Sequence, residues 1–186
     1  MAKKKLHNEE SLHYIKYMGS KTKILPFVIK GIQSVYKRGP ICDLFAGSCS
    51  LSGALGGQVP IISNDIQVYS SVIAKSYLTD WNSGDIAIEQ INEEAAEYHR
   101  QNYNDLIPQF QYPEAITLEQ FYEIEERSRE LITQEFNNEW HLFTKNYSGT
   151  WWSTEQCTWI DSYRKVIEDH RESTMYNTLL CCLMYA

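Results

Sequence analysis

Apolar positions along residues 21–36 recur at Ile24, Phe27, Val28, Ile32 and Val35, a helical spacing, and Gly39-Pro40 ends that segment. Ile41-Cys42-Asp43-Leu44-Phe45 is a short apolar run bounded by Pro40 and Ala46-Gly47, and reads as a buried strand. A short helix is expected over 50–56. A second strand is expected over Val59-Pro60-Ile61-Ile62, with Pro60 at an edge or strand start, and a helix over Gln67–Leu78. Strand, turn, helix, strand, turn, helix is the order of an α/β domain with a parallel sheet.

After Asp80 the pattern becomes helical and acidic. Residues 86–103 form one expected helix, and Pro108 and Pro113 interrupt. Thr117-Leu-Glu-Gln120 reads as a capping box opening a helix to about Glu135. Ser153-Thr-Glu-Gln156 reads as a second, with Trp159, Ile160, Tyr163, Val166 and Ile167 on the buried face. A last helix, capped by Ser173, would carry Tyr176, Leu179, Leu180, Leu183 and Met184 on one face. That apolar run needs a cover: the core, or an element of another chain. The expected divisions are a basic tail (1–13), an α/β part (14–84) and a helical segment (85–186) that contacts a partner or a target.

Composition narrows the class. Hydrophobic content of 43% and aromatic content of 13% argue for a packed fold. No apolar run approaches the roughly 20 residues of a membrane span, and Met-Ala-Lys-Lys-Lys has no apolar stretch behind it that would make a signal peptide. Cys42, Cys49, Cys157, Cys181 and Cys182 lack paired metal spacing, and reduced thiols in a cytoplasm fit them best. Charge is uneven: residues 1–40 hold nine Lys/Arg and two Glu, residues 41–186 eight Lys/Arg and 22 Asp/Glu. Gripping DNA needs clustered cations, so the larger part is ill suited to doing so unaided.

Three segments carry candidate chemistry. In Asp43-Leu-Phe-Ala-Gly-Ser-Cys-Ser50 a strand end leads through a glycine loop into a helix. The glycine permits close backbone approach, the helix start offers amides, and the preceding carboxylate can accept from an ammonium group. Asn64-Asp65 ends the second strand, 22 residues beyond Asp43; an acid there can accept from ribose hydroxyls. Taken alone, Asp65 reads as a helix cap. In Tyr17-Met-Gly-Ser-Lys21, Gly19-Ser20 makes a further close-approach turn and Lys21 supplies a cation for a carboxylate; alone, Ser20 reads as a cap and Lys21 as solvated.

In order and spacing these three segments resemble the Dam-like class of adenine-N6 DNA methyltransferases, firmly over residues 14–78 and more loosely over 140–186. The resemblance implies part of a Rossmann-like class I methyltransferase sheet followed by a mostly helical segment, with S-adenosyl-L-methionine as cofactor. It implies that Tyr17, Gly19, Ser20 and Lys21 sit near the methionine end. Asp43, Phe45, Ala46, Gly47 and Ser48 would line the pocket, with Asp65 on the ribose and Ile66 beside it. Cys49 stands where the family usually has glycine, and a side chain there could crowd the cofactor. The family's Asp-Pro-Pro-Tyr motif, which holds and stacks the flipped adenine, has no counterpart: Pro26, Pro40, Pro60, Pro108 and Pro113 are all isolated. The expectation is therefore a cofactor-holding part with no catalytic residue of its own. A second polypeptide would complete it and supply the catalytic strand and most contacts to double-stranded DNA. A non-catalytic cofactor-binding module and a truncated fragment fit the same residues.

His7, His13, His99, His141 and His170 show no metal spacing. Trp140, Trp151, Trp152 and Trp159 could stack on bases, though a core or partner-interface role fits helical placement better. Glu123-Ile-Glu-Glu126 reads as a solvated helix face.

Overall fold

The structure is a computed structural model, and it describes residues 21–80, 82 and 84–186. Contacts divide the chain into two compact units: residues 1–83 together with 174–186, and residues 84–173.

In the first unit a 3-10 turn, Lys21–Ile24, leads into helix α1, Leu25–Val35. Pro26 sits in its first turn, where no amide hydrogen is required. Strand β1 is Ile41–Asp43, helix α2 Ser50–Leu55, strand β2 Ile61–Ser63 and helix α3 Val68–Leu78. The strands pair in parallel, Ile41 opposite Ile61 and Asp43 opposite Ser63. The Ile41 amide donates to the Pro60 carbonyl (2.9 Å) and the Asn64 amide to the Asp43 carbonyl (2.9 Å). Both strands are shorter than their apolar runs. Leu44 and Phe45 leave the ladder as the chain turns towards α2, and Val59 precedes the strand as a core residue, behind Pro60.

Ile41 and Ile61 pack on a core of Leu25, Ile29, Leu51, Ala54, Leu55 and Val59. Cys42 and Ile62, paired across the ladder, are exposed on the other face. A second cluster joins Ala46, Cys49, Ile73 and Ala74 to Cys181 of helix α8, Tyr176–Tyr185. The last helix is thus covered by its own unit, along α3. It buries Leu179 and Cys181, half-buries Leu180 and Leu183, and leaves Met184 exposed. Ser173 does not cap it: the residue before the helix is Met175 and no side chain caps it.

The second unit holds α4 (Ile88–Tyr103), α5 (Leu118–Arg129), α6 (Leu142–Tyr147) and α7 (Thr154–Asp169). Both capping boxes form, Thr117 with Gln120 and Ser153 with Gln156. Helix α5 ends six residues before the expected Glu135, tightening into a 3-10 turn over Glu130–Thr133.

The buried face of α7 differs from expectation. Trp159, Ile160 and Tyr163 are only half-buried, and the core receives Thr154, Cys157, Thr158, Asp161 and Ser162 with Val166 and Ile167. This polar face is buried because each group has a partner. The Ser162 hydroxyl donates to the Thr158 carbonyl (2.7 Å) and the Thr154 hydroxyl to Ser128 (3.0 Å). Asp161 accepts from the Phe143 amide (3.0 Å), the Thr144 amide (2.8 Å) and the Thr144 hydroxyl (2.8 Å). It thereby caps the start of α6, a helix that local sequence did not announce. Among the described residues, no helix is long and apolar enough to cross a membrane.

Candidate functional site

The carboxyl ends of β1 and β2 and the loop into α2 form one polar knot within the first unit. The Lys21 Nζ donates to Asp43 Oδ1 (2.7 Å) and to the Phe45 carbonyl (2.6 Å). From the other strand, Asp65 Oδ2 accepts from the Gly47 amide (2.8 Å) and Oδ1 from the Gln67 amide (3.0 Å). Asn64 stitches the two strand ends. Its carbonyl accepts from the Ala46 amide (3.0 Å), and its Nδ2 donates to the Leu44 carbonyl (3.0 Å). Asp43, Gly47 and Asp65, separated by up to 22 residues, are thus tied into one constellation with Lys21.

The loop conformation follows from its residues. Gly47 has φ +54° and Cys49 φ +55°, both left-handed. Glycine takes that region without strain; cysteine takes it at a cost of about 1–2 kcal/mol. Burial offsets the cost: Cys49 is fully enclosed, and its Sγ donates to the Ser70 carbonyl (3.2 Å). The side chain enters the core beside Ile73 and Cys181. Burial first, then the Asp43 and Asp65 carboxylates, push the thiol up to about 11, so it stays protonated at neutral pH.

The two acids differ. Asp43 is buried, and its Oδ2 has no hydrogen-bond partner among the described residues. An unpaired buried acceptor costs about 1–3 kcal/mol, so this oxygen calls for a donor. Asp65 is half-buried, and the Gln67 and Gly47 amides hold its carboxyl below the ordinary carboxylate value. It closes the turn before α3 and does not cap the helix itself, whose N-cap residue is Gln67 without a side-chain cap, and the Gly47 amide is already taken by it.

Around this knot lie apolar side chains without cover. Phe45 is 80% exposed and Ile66 93%, and Leu44 and Val68 are exposed as well. Ala46 is buried, while Gly47 and Ser48 are half-buried. Leu44 and Val68 were not anticipated; their signal was an apolar residue lying just outside a strand or helix, beside a proposed binding residue. Tyr17, Gly19 and Ser20 lie outside the described residues.

Two histidines of the second unit have partners within it. His99 stacks on Trp159 at 4.0 Å and contacts Thr158 (3.0 Å), and His170 pairs with Glu94 (2.7 Å).

A family model described as D12 class N6 adenine-specific DNA methyltransferase matches residues 17–185. No curated protein and no solved structure matches the chain.

Proposed function

The chain belongs to the D12 class of N6 adenine-specific DNA methyltransferases, and from that premise we propose that its first unit is the part that holds S-adenosylmethionine. The observation that carries this is Asp43 Oδ2: a buried carboxylate oxygen with no hydrogen-bond partner among the described residues, at the strand end that leads into the Gly47 loop. An α-ammonium group suits it in charge and hydrogen bonding. Lys21 keeps the other carboxylate oxygen in place and would attract the carboxylate of an amino-acid end. Asp65 retains lone pairs beyond those used by its two amides, enough to accept from ribose hydroxyls. Phe45 and Ile66 offer uncovered apolar surface for a nucleobase, beside Ala46, Gly47 and Ser48; Tyr17, Gly19 and Ser20 would complete the methionine end. When bound, the cofactor supplies a methyl group made electrophilic by its positive sulfur, and the task of these residues is binding and orientation.

The family acts on DNA. For this chain we propose that the group gripping the target adenine comes from outside these 186 residues, in the form of a second polypeptide. Two features support this: the sequence contains no adjacent prolines from which an Asp-Pro-Pro-Tyr motif could be made, and residues 41–186 are strongly acidic. A wider, Rossmann-like sheet belongs to the same proposal. Parallel sheets are normally covered on both faces, whereas Cys42 and Ile62 are exposed.

Titration calorimetry with S-adenosylmethionine, and with NAD as control, tests the cofactor reading. Binding of S-adenosylmethionine that is lost in Asp43→Ala and weakened in Asp65→Ala is expected, with none for NAD. A silent wild-type protein would end the reading. Methylation of DNA by the purified chain alone would end the two-polypeptide version and leave the cofactor site standing.

A further inference from the structure

Helix α1 has two sides, and the core of the first unit explains only one of them. Leu25 and Ile29 enter that core. On the side away from it Phe27, Gly31 and Val35 follow one another at four-residue intervals, the spacing of a single ridge along a helix, with Lys23 one turn ahead. Pro26, Lys30 and Ser34 form the ridge beside it. All of these residues are exposed, Phe27 by 79% and Val35 by 75%.

The glycine in this ridge has no explanation inside the unit. It sits in the interior of an α-helix, where it costs about 1 kcal/mol relative to alanine. Its φ is not left-handed, and a Cβ built on it would meet no atom within 4 Å. The ridge is thus interrupted, between two exposed apolar side chains, by a gap that no described neighbour requires. Such a gap admits a side chain of a crossing helix and lets its backbone come close.

Charge on this side has one sign. Residues 11–42 hold six Lys/Arg and no Asp or Glu. Lys21 is committed to Asp43 (2.7 Å), whereas among the described residues no ion pair reaches Lys23, Lys30, Lys37 or Arg38. Lys23 lies four residues before Phe27 and Lys30 three after it, so both flank it on the same face.

Together these features narrow the occupant. A phosphate backbone would meet the lysines but hold Phe27 and Val35 against hydrated charge. A bilayer surface is fluid and gains from apolar bulk, not from a gap. An amphipathic protein helix uses all three features. Its apolar residues cover Phe27 and Val35, one of them enters the gap at Gly31, and Asp or Glu beside them meets the lysines.

We propose that this face of α1 is a docking surface for a helical protein segment whose apolar stripe is flanked by acidic residues. The proposal does not depend on the cofactor site. A displayed library of helical peptides, selected against the full chain, tests it, with duplex DNA and phosphatidylserine vesicles as rival probes. Phe27→Ala and Gly31→Leu serve as variants, since so exposed a side chain and so open a position are dispensable for folding; circular dichroism and melting temperature check this. Selected peptides should carry Asp or Glu beside aliphatic or aromatic residues and weaken as salt is raised. Their affinity should fall about thirtyfold in Phe27→Ala, the size of an anchor residue's loss. It should fall about tenfold in Gly31→Leu, which fills the gap, and also fall in Lys23→Glu/Lys30→Glu. The proposal fails if no selected peptide depends on Phe27, if the dependent ones lack acids, or if Gly31→Leu binds them as well as the wild type does. It fails equally if DNA or vesicles bind the wild-type chain and lose that binding in Lys23→Glu/Lys30→Glu, which would assign the face to a phosphate surface.

Discussion

Two aspartates, one in each unit, solve the same local problem and end in opposite states. Asp65 accepts two backbone amides at the edge of the first unit, where water remains close, and its carboxyl is held below the ordinary value. Asp161 accepts three donors in the middle of the second unit, yet burial pushes its carboxyl up despite them. Hydrogen bonds to an anion favour the anion; removal of water opposes it, and deep in a helix bundle it prevails. The edge aspartate can therefore serve a ligand as an anion at little cost. The central one is a structural part whose charge is a burden.

Removing the central acid is the harshest way to break this comparison. Asp161→Ala leaves the buried amide and hydroxyl of Thr144 and the half-buried amide of Phe143 without an acceptor. At about 1–3 kcal/mol per orphaned group, the second unit should lose about 3 kcal/mol or more. Chemical denaturation measures that loss, while S-adenosylmethionine binding by the first unit should change less than about twofold. A large drop in cofactor affinity would show that the units do not act separately.

Asp43→Asn should have the reverse profile. Its buried Oδ2 would lose a charge-assisted contact to an ammonium group, about 1.5–3 kcal/mol of affinity. S-adenosylhomocysteine, which keeps the amino-acid end, should weaken accordingly; 5′-methylthioadenosine, which lacks it, should hardly change. Equal losses for both ligands would mean that the substitution deforms the pocket as a whole.

The pH response sharpens the contrast with less force. For Asp65 the folded value lies below the unfolded one, near 3.9. Its contribution is present above that unfolded value and is lost as pH falls through the lower folded value. For Asp161 the folded value is raised, so its contribution is fullest below the unfolded value and declines as pH rises through the folded one. Hydrogen exchange followed from neutral pH into acid should therefore show protection around Asp161 gaining before protection of the Gly47 and Gln67 amides fails. Parallel loss in both units would refute the assignment.

What the sequence allowed to be read follows the same division. The strands of the first unit and the helix starts of the second are written locally. Pro40 and Gly47 bracket β1, both capping boxes of the second unit are contiguous four-residue signals, and the 22-residue spacing of Asp43 and Asp65 matches two adjacent parallel strand ends. The α7 face was misjudged because its buried positions are hydroxyls and a carboxylate whose partners lie across the fold. Helix α6 was missed because its cap, Asp161, is 17 residues from Thr144. The destination of Lys21 was half legible: a cation for a carboxylate was anticipated, but the carboxylate it meets is the protein's own Asp43.

Cys49 offers the smallest effect and the finest test of the loop. Its left-handed backbone should cost about 1–2 kcal/mol relative to glycine, and Cys49→Gly removes that strain. The same substitution removes a fully buried side chain and its contact with the Ser70 carbonyl, a loss of about 1–2 kcal/mol. The two terms oppose each other, so stability should move by less than about 1 kcal/mol. Because the thiol points into the core beside Ile73 and Cys181, it does not crowd the exposed loop, and S-adenosylmethionine affinity should also stay within about threefold. A gain much larger than that in Cys49→Gly would show that the side chain at this position does crowd the cofactor and that the enclosed thiol is not its only placement.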